Sequence, residues 1–188
     1  MSLPLKVSLV GALLLLAACR SDPIHYHTLI PAQPAADAQG GANIQFELVS
    51  VPPQVDRPQM VIREGSSGLA ILETEWWGAS LSEELQSALV DQLSSAGNGH
   101  KWLLRVEVQR FDTVPGQYAL VDAQWRLRNA GSAGSAGSAG SEASVLTCRT
   151  TVQTPAGPTI DDLVVAHQNN VKRLASAIRQ AASSARCP

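Results

Sequence analysis

Trp102-Leu103-Leu104-Arg105-Val106-Glu107-Val108-Gln109-Arg110-Phe111 and Ala119-Leu120-Val121-Asp122-Ala123-Gln124-Trp125-Arg126-Leu127 decide the fold. In the first run Trp102, Leu104, Val106 and Val108 alternate with Arg105, Glu107 and Gln109. In the second Ala119, Val121, Ala123, Trp125 and Leu127 alternate with Asp122, Gln124 and Arg126. Successive side chains of a strand point to opposite faces, so each run reads as a β-strand with one apolar and one wet face. An apolar sheet face must be covered, and amphipathic helices are the usual cover.

The chain offers two such helices. Ser80 with Glu83 three residues on reads as a capping box, and Leu81, Leu85, Ala88, Leu89 and Leu93 recur at helical spacing. Glu83 and Glu84 sit near the positive end of the helix dipole, and Gly97 and Gly99 are expected to end the helix. The second helix begins at Thr159, capped with Asp162. It carries Ile160, Leu163, Val164, His167, Val171, Leu174 and Ile178 as a stripe over roughly six turns. Lys172, Arg173 and Arg179 fall off the stripe. His167 lies on it and reads as a core or interface histidine. Asp161-Asp162 reads as helix capping rather than a pair of acid–base carboxylates.

Upstream, Ile44, Phe46, Leu48 and Val51 bracket a strand stopped by Pro52-Pro53. Gln59 to Arg63 and Leu69 to Glu75 are two more, joined across a turn at Gly65-Ser66-Ser67-Gly68. Val145 to Val152 is the last strand. Ala130 to Ser141 is four Ala-Gly-Ser triplets, a composition with nothing to bury, expected as an expanded flexible hairpin loop. The order strands, helix, strands, helix predicts an α/β sandwich with a mixed, largely antiparallel sheet and two main helices.

The N-terminus sets the address. Lys6, an apolar run from Leu9 to Leu16 and then Leu16-Ala17-Ala18-Cys19 read as a lipoprotein signal peptide over residues 1–18, with Cys19 as the lipidated residue. The apolar run is shorter than the about 20 residues of a spanning helix. Each buried acyl methylene contributes about 0.8 kcal/mol, so two or three chains anchor a protein in practice permanently. Arg20, where an aspartate would favour inner-membrane retention, points to the outer membrane. Residues 19–42, with Pro23, Pro31, Pro34 and Gly40-Gly41, read as a tether with one extended piece from Tyr26 to Ile30; residues 43–188 form the domain. Cys148 and Cys187 meet an oxidising compartment after export and are expected to pair. The loop of about 40 residues that they close would make the bridge stabilising by roughly 3–4 kcal/mol. The formal charge of −2, without a basic stripe, argues against a nucleic-acid partner.

The sequence carries no Gly-x-Ser-x-Gly elbow, no Walker loop and no dinucleotide-binding glycine pattern. His25 and His27 flank Tyr26, where a metal would need further converging ligands. No catalytic residue, metal or cofactor is indicated, and a non-enzymatic protein is expected. Two stretches stand out: Val51-Pro52-Pro53-Gln54-Val55-Asp56-Arg57-Pro58-Gln59-Met60-Val61, stiffened by prolines around a charged pair, and Glu75-Trp76-Trp77-Gly78-Ala79-Ser80-Leu81. One tryptophan of the second stretch can pack on the sheet while the other anchors a partner.

These stretches carry a resemblance. Val51 to Val61 resembles the "vP-x-x-L-D-R-x-q-i-V" signature of the ABC-type transport auxiliary lipoproteins, the PqiC/YmbA-like family. Trp77-Gly78-Ala79-Ser80-Leu81 is similar to its "W-A-E-P-L" segment, and Tyr26-His27-Thr28-Leu29 to its "Y-Y-x-L" segment. Val55 departs from the family's leucine, and Ala79-Ser80 replaces its acidic-proline pair. The resemblance implies an anticodon-binding-domain-like α/β sandwich and a docking role at the outer membrane. The implied partners are an MCE-domain protein and an ABC or PqiA-like permease system that together move lipids between membranes. A homo-oligomeric ring is implied too, with Asp56, Arg57 and Trp77 as partner-binding candidates. The competing reading is a periplasmic lipid-binding carrier, which demands an apolar cavity between helix and sheet.

Overall fold

A computed structural model describes residues 22–33, 43–93, 101–130 and 145–188. The signal peptide with Cys19, Pro34, Gly40-Gly41, Gly97, Gly99 and the Ala-Gly-Ser repeat beyond Ala130 lie outside the described residues.

Strand β1 is His25–His27, β2 Asn43–Ser50, β3 Gln59–Glu64 and β4 Gly68–Trp77; helix α1 is Leu81–Leu93. Strands β5 (Lys101–Val114), β6 (Tyr118–Asn129) and β7 (Val145–Pro155) follow, and helix α2 is Ile160–Ser184. The α/β class and the two helices are as the sequence pattern implies. The strands, however, form two mixed sheets: β1-β4-β3 and β2-β5-β6-β7. In each, one pairing is parallel: β1 with β4, and β2 with β5. The division falls at Pro52, Pro53 and Pro58. Proline carries no amide N–H to continue a ladder, so the chain turns there and β3 starts a new sheet.

The long strands need a whole-molecule reason. β5 pairs with β6 from Trp102↔Asn129 to Val114↔Tyr118, and β6 pairs with β7 along nearly its full length. The alternation holds Trp102, Leu104, Val106 and Val108 inward until a bulge at Gln109 shifts the register, after which Phe111 and Thr113 point in. The inner face carries α2 on β6 and β7 and α1 on β2, with the helices touching each other. Strand β3 packs against β5, so Met60, Val61 and Trp77 of the smaller sheet share one core with Leu104, Phe111, Trp125, Leu85 and Leu174. Burial of these side chains contributes on the order of 1.5–3 kcal/mol each.

Helix α2 starts on the expected Thr159–Asp162 capping box, each side chain satisfying the other residue's backbone N–H. It ends at Ala185, whose φ of 53° is left-handed. Beyond it the chain reaches Cys187, which is bonded to Cys148 of β7.

Candidate functional site

The three segments singled out in the sequence meet at one corner of the fold. The N-terminal segment reaches it first. β1 lies parallel to β4 in the register His25↔Glu75, Tyr26↔Trp76 and His27↔Trp77. Alternation then sends His25 and His27 to one side and Tyr26 to the other. Both histidines converge on the Glu75 carboxylate, at 3.1 Å from His25 Nδ1 and 2.6 Å from His27 Nε2. The hydrogen bond from His27, helped by that from His25, holds the Glu75 pKa below the ordinary carboxylate value. The pair is therefore used on Glu75, and among the described residues no group of three or more metal-ligating side chains is assembled.

Two residues later the chain meets α1. Thr28 Oγ1 and the Leu29 backbone N–H both donate to Glu84 Oε2, at 2.9 and 3.1 Å. Glu84 is buried despite its charge, and these donors replace the water it gives up. Gln168 of α2 donates to the Thr28 carbonyl, and Leu29 is completely buried in the core. The expected tether thus contains a folded part: residues 25–29 belong to the domain. Gly78 explains part of the fit. Its N–H donates to the His27 carbonyl, and a Cβ there would stand 2.8 Å from Glu84 Oε1.

The proline-flanked loop comes to the same place. Val55 and Asp56 N–H groups donate to the Pro52 carbonyl, which makes a turn, and the Trp77 N–H donates to the Pro58 carbonyl at 2.6 Å. Asp56 Oδ1 accepts from the Ser82 N–H at 3.1 Å. That amide is one of the orphan donors at the start of α1. Ser80 and Glu83 form only one arm of the expected box: the Glu83 carboxylate takes the Ser80 N–H and hydroxyl, while Asp56 caps the helix from 26 residues away.

The three candidates therefore separate. Asp56 is exposed and serves the fold as a cap. Arg57 is half-buried; no ion pair engages it among the described residues, and its Nε is buried without a hydrogen-bond partner. Trp77 requires a correction as a partner contact. It is only 2% exposed and meets Phe111 edge-on, with ring centroids 6.4 Å apart. The inward side of β4 places it there, and its neighbour Trp76 takes the outward position beside Tyr26. Sequence reasoning missed Glu75 and Glu84 as the receivers of the N-terminal segment. Glu84 left a signal: it adjoins Leu85 and lies four residues before Ala88, on the apolar side of α1.

Elsewhere, His167 Nε2 stands 2.9 Å from Thr113 Oγ1, and its ring stacks on Phe111 at 4.0 Å. Burial drives its pKa down to about 3. The Thr113 hydroxyl and the His167 ring are both buried, so this pair is enclosed in the core. What the corner offers is a rigid junction of strand, loop and helix.

A family model, ABC-type transport auxiliary lipoprotein component, matches residues 27–179. The chain belongs to this family. The match takes in the corner from the β1 histidine His27 onward, to late in α2, and leaves out His25 and Tyr26. Two solved structures share the fold of this auxiliary lipoprotein. One, described as an uncharacterized protein, has a TM-score of 0.62 at 15% identity and covers 85% of this chain and 98% of its own. The other, a Xanthomonas campestris protein of the family DUF330, has a TM-score of 0.60 at 14% identity and covers 86% and 96%. No curated protein sequence matches the auxiliary lipoprotein.

Proposed function

We propose that this auxiliary lipoprotein is an outer-membrane-anchored, non-enzymatic docking component of an MCE-type intermembrane lipid transport system, lipidated at Cys19 and assembled as a ring. The observation that carries the reading is the family match over residues 27–179, joined to a lipobox that stands just ahead of it. The geometry supports it: the segment leaving the lipidated cysteine is locked to both helices and to the smaller sheet, as a fixed post requires. Arg57 is the remaining partner-binding candidate, because no ion pair among the described residues consumes its guanidinium. Clefts of about 280, 530 and 60 Å³ among the described residues are lined by strands and turns rather than by the helices. They are not the apolar chamber between helix and sheet that a carrier needs.

Cross-linking in intact cells, followed by identification of the captured proteins, tests this role. Recovery of an MCE-domain protein together with the permease is expected. Recovery of neither, from a protein that is also monomeric in detergent, would overturn the docking reading.

A further inference from the structure

We propose that Tyr26, Trp76 and Ile24 form a membrane-contact patch that seats this face of the domain in the interfacial layer of the bilayer holding its acyl chains. The proposal rests on lipidation at Cys19. Tyr26 is 66% exposed, more than any other large apolar side chain among the described residues, and Ile24 beside it is 42% exposed. Tyr26 and Trp76 are cross-strand neighbours with ring centroids 6.3 Å apart, edge to face. The Trp76 indole N–H donates to the Glu73 carbonyl at 3.0 Å, so the ring is held in place rather than free to fold inward. Aromatic residues with one apolar and one polar end collect at the headgroup level of membranes.

The chain length commits this patch to lipid. Six residues lie between Cys19 and Tyr26, a span of seven residue steps that reaches at most about 25 Å when fully extended. From Cys19 to Ile24 the reach is at most about 18 Å. The His–Glu75 and Glu84 contacts stop β1 from peeling away to lengthen it. The end of the domain that carries the aromatic pair is thus held within about 25 Å of the lipid-bearing cysteine, close enough to reach the surface. The patch side chains are uncharged, so the contact depends on ring burial and little on salt.

Trp76 is its own reporter, because Trp77, Trp102 and Trp125 are buried in the core. The acylated full-length protein is placed in vesicles of phosphatidylethanolamine and phosphatidylglycerol containing lipids brominated close to the glycerol backbone. Bromine is expected to quench part of the tryptophan emission, and Trp76→Phe to abolish that quenchable part. Tyr26→Ser should reduce it. The quenching should persist at about 0.5 M salt. Equal emission with and without bromine, in protein that sediments with the vesicles, would overturn the proposal and leave the pair to a protein partner. Protein that fails to sediment and carries no acyl mass at Cys19 would overturn the anchor itself, and this contact with it.

Discussion

Asp56 and Arg57 are adjacent and do different work. Asp56 spends its carboxylate on the Ser82 amide, so Asp56→Ala should destabilise the protein by about 1 kcal/mol, and Asp56→Asn by much less, in urea unfolding. A side chain that served only a partner would leave the unfolding midpoint unchanged. His167 makes a pH prediction. Its folded pKa, about 3, lies below the unfolded value of about 6.5, so the unfolded chain binds the proton first. Stability is therefore full above about pH 6.5 and falls as the pH drops from there, by up to about 1.4 kcal/mol per unit. His167→Gln keeps a polar partner for Thr113 and does not titrate, so its urea midpoint should change less between pH 7 and pH 5 than that of the parent.

The elements that the sequence discloses are those whose stability is local or periodic. β5 alternates from Trp102 to Val108 and β6 from Ala119 to Leu127, and α2 carries both its stripe and its capping box. β1 is different. Three residues between Pro23 and Pro31 hold no periodic signal, and what fixes them is Glu75 and Glu84, some fifty residues on. The split into two sheets was likewise hidden, because register depends on which edges meet and not on either strand alone. At the corner, the Trp-Trp pair was visible but its inward member was not, since the phase of β4 is set by pairing with β3 across a register break between Gln59 and Val61. The contacts of the N-terminal segment predict a measurable weakness. Glu84→Ala leaves the Leu29 amide buried without an acceptor, so limited proteolysis should cut near residues 25–30 faster than in the parent. The C-terminal end of the fold has its own fastening. Cys187→Ser frees the tail from β7 and should lower stability by roughly 3 kcal/mol, and reduction of the parent should give the same midpoint shift.

The molecule as a whole presents its bare strand faces outward and its helices against the larger sheet. The ring proposed for it requires these outward surfaces or the free edges of β2, β3 and β7 to meet a second copy. Sedimentation velocity of the full-length protein in detergent should then show a closed oligomer of one size. A single monomeric species would remove the ring while leaving the anchored docking role to stand. The charged outer face of the large sheet is mostly spoken for internally, as with Asp122, whose pKa is held down by Arg149. An oligomer interface there would trade existing ion pairs rather than create the first ones.

The parallel placement of β1 against β4 also dictates an order of events during export. The N-terminal end leaves the cytoplasm first, yet its seat is built from Glu75, Glu84 and Gln168, which emerge later. Until α1 has arrived, the first residues of the mature chain have nothing to bind. On the proposed lipidation of Cys19, the acylating and leader-cleaving enzymes would meet this segment before its seat at Glu75, Glu84 and Gln168 exists. Late arrival of the receiving elements would give that processing its opening.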